Sequence, residues 1–517
     1  TAGGVPLILA DLRARALAGG GGTPAPRAAI GSNLAQQGVS ILADLFKSGI
    51  TWQNVNANYD FTSAPSNAPA GSDFYLNVPP PFADGEWHVA RWKEPGNTTG
   101  VSTWARTYTN RDLDFSGTKF TDRTETYANG IFTARLRYYK RTTEGNPFGL
   151  IRWRGQGSIE LLDFRPEVMP ATSYFNPDIV AVSSQRRGNI RALDLGGGNI
   201  WQQDWLWSER ARLDHEANKA SRQPSMPLEL WRDLCILTNR DLEWIIPHKL
   251  PKSTIQAMVR AFMTGEGFDD GKPLPAHLSL YVELCDNEPW NPDLTQAYQD
   301  LSQIGFATGY TGSNANFARL YAQEKRGRDV SAWIAEAVPT YMNRIVRIIG
   351  LSPASDLNDY ISLTVNDKSY FDAVTKSIYM GIFAKGSYGG NTPAEIAPAW
   401  SADAIAQVDA FLRNLSTYQS DGKRLLCYEV GSDTARVPWS TEQRAAWLES
   451  PQFATIYARE LLRAASAAQD RMNLYWDFGT YRDPAAAGAW AHYQGAGKNN
   501  QKWTIANDVQ AQLDQPS

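Results

Sequence analysis

The chain has 517 residues, too many for one small core, so two or three domains are expected. Hydrophobic residues at 43% and charged residues at 20% describe a folded globular chain rather than a disordered one. A net charge of −4 offers no basic face for nucleic acid, and no apolar run has the length of a membrane span.

Three cysteines (Cys235, Cys285 and Cys427) cannot all pair, and they show no CxxC spacing. Five scattered histidines form no HExxH. The pattern supports neither a zinc site nor a disulfide framework, and no metal or organic cofactor is implied. The 18 Trp and 22 Tyr are the unusual feature. Their flat faces can stack on sugar rings while their polar tips reach hydroxyls, although a Trp taken singly is more often core.

In chain order, residues 1–17 read as a small amphipathic helix, followed by a flexible Gly/Pro linker over Gly19–Pro26. Residues 1–29 thus form an N-terminal arm, either docking on a partner or simply frayed. The start lacks the basic, apolar and small-residue order of a secretion signal. Loss of an initiator Met from before Thr1, or processing of a longer chain, accounts for it equally. The expected address is extracellular or virion-associated, with a cytoplasmic one left open. Ile30–Leu34 reads as a strand and Val39–Lys47 as a helix, giving a first βα unit over 30–52.

From Trp52 to about Met169, turn residues recur between alternating runs such as Ile131–Tyr139 and Leu150–Arg154. Period-two alternation bounded by turns predicts an inserted all-β, sandwich-like domain over 53–172. The remainder, 173–517, alternates short apolar strands with helical patterns. Strands are expected at Asn189–Asp194, Leu242–Ile246, His277–Leu284, Arg344–Ile349, Phe371–Tyr379, Leu425–Glu429 and Arg471–Trp476. Helices are expected at Leu228–Leu237, Ser253–Met263 and Ala315–Ala337. A further one is capped by Ser401 and carries Ile405, Val408, Leu412 and Leu415, and another carries Phe453, Ile456, Tyr457 and Leu461. With Ile30–Leu34 this makes eight βα steps, which favours an α/β fold of the (β/α)8 TIM-barrel type. An open doubly wound sheet is the alternative, but no GxGxxG follows any strand.

Barrel chemistry gathers where strands run out into βα loops. In Ser279–Asn291 the fourth strand ends near Cys285 and leaves Asp286, Asn287 and Glu288 at the mouth. Crowded buried carboxylates hold protons toward neutral pH, as a proton donor requires. Asn287 can bond a sugar hydroxyl and Trp290 can form a stacking wall. In Leu425–Gly431 an apolar strand ends in Glu429, with Gly431 allowing a sharp turn. A lone Glu there would be a structural ion-pair partner. Two such residues on the fourth and seventh strands face each other, and a separation of about 5–5.5 Å would suit a nucleophile, Glu429, and an acid/base, Glu288.

The ordered set Gly31–Leu34, Arg191–Asp194, Trp244–His248, Tyr281–Glu283 with Asn287–Asn291, and Tyr428–Glu429 resembles glycoside hydrolase clan A. The likeness extends to bacterial barrel proteins with an inserted β-domain, and it covers most of the chain beyond residue 29. It implies retaining hydrolysis of β-linked polysaccharide by double displacement. It further implies that Tyr379 bonds the nucleophile, that Trp476 floors the sugar subsite, and that His248 and Arg191 position sugar and carboxylates. The plainer roles are barrel packing for Tyr379 and Trp476, neutralisation of buried acids for Arg191, and a satisfied loop histidine for His248. Two departures stand out. The segment between Glu283 and Asn287 is one residue longer than the pattern, which makes Glu283 and Asp286 reserve acids, and Val430 stands where a glycine is more usual. The other functional classes are a non-catalytic module that recognises a polysaccharide or surface glycan, and a virion tail component whose residues 1–29 dock on the particle.

Overall fold

The structure, a computed structural model, describes residues 28–34, 50–53, 73–78, 87–94, 96–102, 118–140, 149–154, 160–167, 174–175, 177–193, 204–210, 212, 227–291, 296–352, 368–381, 392–432, 439–468, 470–474 and 501–514. The expected arm helix and linker, the helix Val39–Lys47, Asp194 and Trp476 lie outside these residues.

Fifteen described strands run in chain order. They are β1 (Ala29–Leu34), β2 (Ile50–Gln53), β3 (Asp73–Val78), β4 (Trp87–Lys93), β5 (Thr118–Ala128), β6 (Ile131–Lys140), β7 (Gly149–Arg154), β8 (Glu160–Pro166), β9 (Ile190–Ala192), β10 (Leu242–Ile245), β11 (Leu280–Glu283), β12 (Ile345–Gly350), β13 (Ala373–Met380), β14 (Arg424–Ser432) and β15 (Arg471–Leu474). Strand β1 pairs in parallel with both β9 and β15. Successive parallel pairings carry β9 through to β15, closing an eight-stranded barrel. All eight strands read from the sequence are its staves. Between β1 and β9 lie a three-stranded antiparallel sheet, β2-β3-β7, and a four-stranded one, β5-β6-β4-β8. The second sheet buries Ala90, Trp92, Phe132, Ala134 and Leu136 on one face. Side chains of the three-stranded sheet, which a sandwich reading needs, lie outside the described residues.

Two apolar layers hold the barrel. Outward-facing residues such as Trp244, Val282, Val374 and Cys427 join the surrounding helices in one continuous core. Inward-facing Tyr281, Ile348, Ala373 and Leu426 plug the lumen. The alternation follows from strand pleating. Many tryptophans serve the first layer. Trp231, Trp244, Trp400 and Trp447 are buried, and the Trp400 ring lies 5.3 Å from both Trp447 and Phe453. The plain core reading of these rings therefore holds. The three cysteines are free and buried.

The helix Ala315–Ala337 has the expected ends, with the Asn314 side chain accepting from the Asn316 amide at 2.9 Å. One helix differs. It spans Pro393–Leu412 and starts at a capping box in which Thr392 and Glu395 bond each other's backbone. Ser401 is interior to it, and Ile405 is exposed rather than on the buried face. Pro at the first position and the Thr-x-x-Glu pattern supply a stronger start than Ser401. The buried stripe is Ile396, Trp400, Ala404, Val408 and Phe411. Leu415 belongs to a separate short helix, because Asn414 turns left-handed at φ 67°.

Candidate active site

The site lies where β11 and β14 run out at the same end of the barrel. Two local irregularities shape it. Past β11, Asp286 and Glu288 both adopt left-handed backbone, at φ 47° and 45°. Non-glycine residues there are strained and collect at functional sites. The second irregularity is a bulge on β14. Lys376 pairs with Cys427 while the next residue, Ser377, pairs with Glu429, so Tyr428 is the extra residue. Leu426 faces the lumen, whereas Cys427 and Val430 face the helices. The bulge lets Tyr428 and Glu429 both reach the lumen. The strand does not stop at Glu429. Val430, Gly431 and Ser432 continue the ladder against β13, and Gly431 pairs with Tyr379 instead of forming a sharp turn. Continued pairing satisfies backbone groups that a turn would expose.

Glu288 and Glu429 are brought together. The Tyr379 hydroxyl contacts Glu288 Oε1 at 3.1 Å and makes a short hydrogen bond with Glu429 Oε2. Two oxygens sharing one phenol lie within two hydrogen-bond lengths, about 6 Å. Tyr428 Oη donates to Glu288 Oε1 at 2.6 Å, and Asn291 Nδ2 donates to Glu288 Oε2 at 3.1 Å. Both carboxyls are largely buried, at 7% and 3% exposure.

Arg191, on β9, is fully buried and organises the floor. Its Nη1 donates to Glu429 Oε1 at 3.1 Å, its Nη2 to Asn287 Oδ1 at 2.8 Å, and its Nε to Glu283 Oε1. The guanidinium also sits 4.8 Å from the Tyr428 ring centre. The neighbouring carboxylates outweigh burial and hold Arg191 firmly charged. Asn287, at 3% exposure, presents its carbonyl oxygen to this arginine.

Burial pushes Glu429 up to about 8. Arg191 and the Tyr379 hydrogen bond oppose that rise, and the Glu288 charge adds to it. A phenol carries one hydrogen, so it satisfies both carboxyls only when one of them is protonated. The pair can therefore hold one proton between its two carboxyls. That arrangement supplies a carboxylate and a carboxylic acid within one sugar's reach.

Other sequence candidates fall elsewhere. His248 Nδ1 is 2.7 Å from Asp286 Oδ2, and its Nε2 is 3.4 Å from Asp300 Oδ2. The histidine thus meets these aspartates, not Glu288 or Glu429. Asp286 also accepts from the His248 amide at 3.2 Å, which ties β10's end to the strained turn. Glu283 binds Arg191 below the pair. Trp290 is half-buried, with its ring 6.1 Å from that of Tyr428. Among the described residues no group of His, Cys, Asp and Glu could hold a metal ion.

The sequence reading passed over Tyr428 as an acid-binding group, and it missed Glu243, Asn189 and Asn473. Glu243 was visible as a charge inside the apolar run Leu242–Ile246. Asn189 Nδ2 and Asn473 Nδ2 both donate to its Oε2, at 2.9 Å and 2.7 Å.

No protein-family model matches the chain, and no curated protein does. Solved structures similar to it include a GH51 arabinofuranosidase from Xanthomonas axonopodis pv. citri, at 12% identity and TM-score 0.37, covering 59% of this chain and 61% of that one. A Bacteroides ovatus GH5 xyloglucanase complexed with a XXXG heptasaccharide is 9% identical at TM-score 0.33, covering 89% and 100%. Thermotoga maritima Cel5A, complexed with mannotriose, is 10% identical at TM-score 0.33, covering 63% and 99%. The chain thus spans about 61% of the arabinofuranosidase's length.

Proposed function

We propose that the chain is a retaining glycoside hydrolase acting on a β-linked polysaccharide. The observation that carries this reading is the single phenol of Tyr379, shared between Glu288 and Glu429. It keeps their nearest oxygens within about 6 Å, which fits the spacing of a nucleophile pair and is tight for an attacking water between two carboxylates.

In this reading Glu288 protonates the departing glycosidic oxygen while ionised Glu429 attacks the anomeric carbon. The glycosyl-enzyme ester then meets water, from which Glu288 takes a proton as base. Arg191 and Tyr379 hold Glu429 for in-line attack. Tyr428 and Asn291 fix Glu288, and the Trp290 ring walls the sugar.

The test uses Glu288→Gln and Glu429→Gln against a panel of polysaccharides. Wild type should release reducing ends and both variants should lose activity by several orders of magnitude. Equal cleavage by all three sinks the assignment. With an activated aryl glycoside, azide should rescue Glu429→Ala and give product of inverted configuration. The longer turn before Glu288, with its two left-handed residues, favours a second reading in which the barrel binds glycan without cutting. Glycan binding by wild type and both variants, with no reducing ends released, supports that reading instead.

A further inference from the structure

Beneath the catalytic pair, three buried glutamates surround one guanidinium. Glu429, Glu283 and Glu243 all approach Arg191, and none has meaningful access to solvent. Fully ionised, the cluster would bury two uncompensated negative charges, a cost far above what a fold tolerates.

The hydrogen-bond count shows where one of these two charges is neutralised. Arg191 Nε carries one hydrogen, and Glu283 Oε1 takes it. Glu243 Oε1 lies 3.5 Å from the same nitrogen, with no hydrogen left for it. Among the described residues that oxygen is buried without a donor. Glu243 Oε2, by contrast, accepts from two amides, Asn189 and Asn473. Among the described residues, Glu243 also interacts with the Glu283 carboxyl, whose Oε1 meets the same Arg191 Nε, and with the buried Cys427 thiol, which burial keeps neutral. A carboxyl with one oxygen saturated by donors and the other facing a second carboxylate must supply its own hydrogen.

We propose that Glu243 is a positioning residue that carries a proton on Oε1, donates it to Glu283, and so leaves Arg191 free to hold Glu429. Burial, together with the Glu283 charge, pushes Glu243 up to about 8, with Arg191 opposing, which agrees with the bond count. Loss of that proton adds a third carboxylate to the competition for Arg191. The guanidinium is then drawn toward the floor and Glu429 loses its orientation. The part played by Glu429 rests on the hydrolase reading, but the location of the proton does not.

Glutamine reproduces the protonated acid, with an oxygen for the two amides and an N–H for Glu283. Glu243→Ala should lower kcat about tenfold or more with little change in KM, as expected when an orienting contact rather than a substrate contact is lost. Glu243→Gln should restore most of that kcat and move the alkaline limb of the kcat/KM profile to higher pH, because an amide cannot ionise. Glu283→Gln should not be tolerated in this way, since Glu283 must accept from both sides. Infrared spectra of the intact chain read the proton directly. At pH 7 wild type should show a carboxylic-acid carbonyl band, beyond that of the Glu288–Glu429 pair common to both proteins, that Glu243→Gln lacks. Retention of that band in Glu243→Gln, or a Glu243→Gln kcat as low as that of Glu243→Ala, overturns the proposal. If wild type hydrolyses nothing on the panel, the hydrolase reading fails, while the infrared result still decides the proton's place.

Discussion

Removing one oxygen from the site, by Tyr379→Phe, isolates what the shared phenol does. The ring stays, so the packing of β13 is kept and stability should change little. Glu288 retains Tyr428 at 2.6 Å and Asn291 at 3.1 Å, so the loss falls on Glu429, which keeps only Arg191 at 3.1 Å among the bonds described above. A hydrogen bond to a charged group contributes about 1.5–3 kcal/mol. If it is made chiefly to the ionised, attacking form, kcat should fall roughly 10- to 150-fold. KM should move little.

The pH profile gives an independent reading of the same bond. The Tyr379 bond lowers Glu429, which burial nonetheless leaves raised to about 8. Without it Glu429 binds its proton more tightly, so the acidic limb of kcat/KM should shift upward by about one to two pH units. The assay is steady-state hydrolysis of an aryl glycoside across pH, with thermal melts as a folding control. A kcat within twofold of wild type together with an unmoved acidic limb would refute the reasoning, whatever substrate is used.

Three further outcomes follow from the same structure. Arg191→Met leaves three buried carboxyls without their cation, and the urea midpoint should fall by an amount equivalent to about 3–5 kcal/mol with an unchanged slope. Glu243 and Glu429 both rise from the ordinary 4.5 to about 8, so the folded state binds these protons more tightly than the unfolded chain. Their stabilisation is complete below pH 4.5 and is lost as pH climbs through 8; denaturation midpoints should decline across that window, and less steeply in Glu243→Gln. Gly305 lies where the helix Gln296–Thr308 crosses Ala315–Ala337, and an added Cβ would stand 1.9 Å from the Ala318 carbonyl oxygen; Gly305→Ala should force the helices apart and cost about 1–3 kcal/mol in a thermal melt.

The barrel was legible because its strands and helices carry different periods, and closure adds no rule beyond eight repeats of that contrast. The helix start at Thr392 was missed because Ser401 also has capping chemistry, and only the buried stripe from Ile396 to Phe411 decides between them. The β14 bulge was illegible for a different reason. Strict alternation groups Glu429 with Leu425 and Cys427, which face the helices, and would turn its carboxyl away from Glu288. One unpaired residue, Tyr428, reverses that grouping and places both a phenol and a carboxyl in the lumen. A bulge has no compositional mark, because it arises from how two strands accommodate one extra residue.

The same limit explains the floor of the site. A glutamate inside Leu242–Ile245 reads locally as a defect in an apolar strand. Its meaning depends on Arg191, Glu283 and Asn473 arriving from three other strands, separated by 52, 40 and 230 residues of chain. Pairwise expectations about acids at strand ends could find Glu288 and Glu429, since each is marked by its own neighbourhood. They could not find the shared arginine's allegiance, which is a property of the closed barrel. Charge inside a barrel is therefore best read as a sum over the lumen. Three carboxyls and one guanidinium require a proton, and the hydrogen-bond count places it on the acid with a carboxylate, rather than a donor, in front of it.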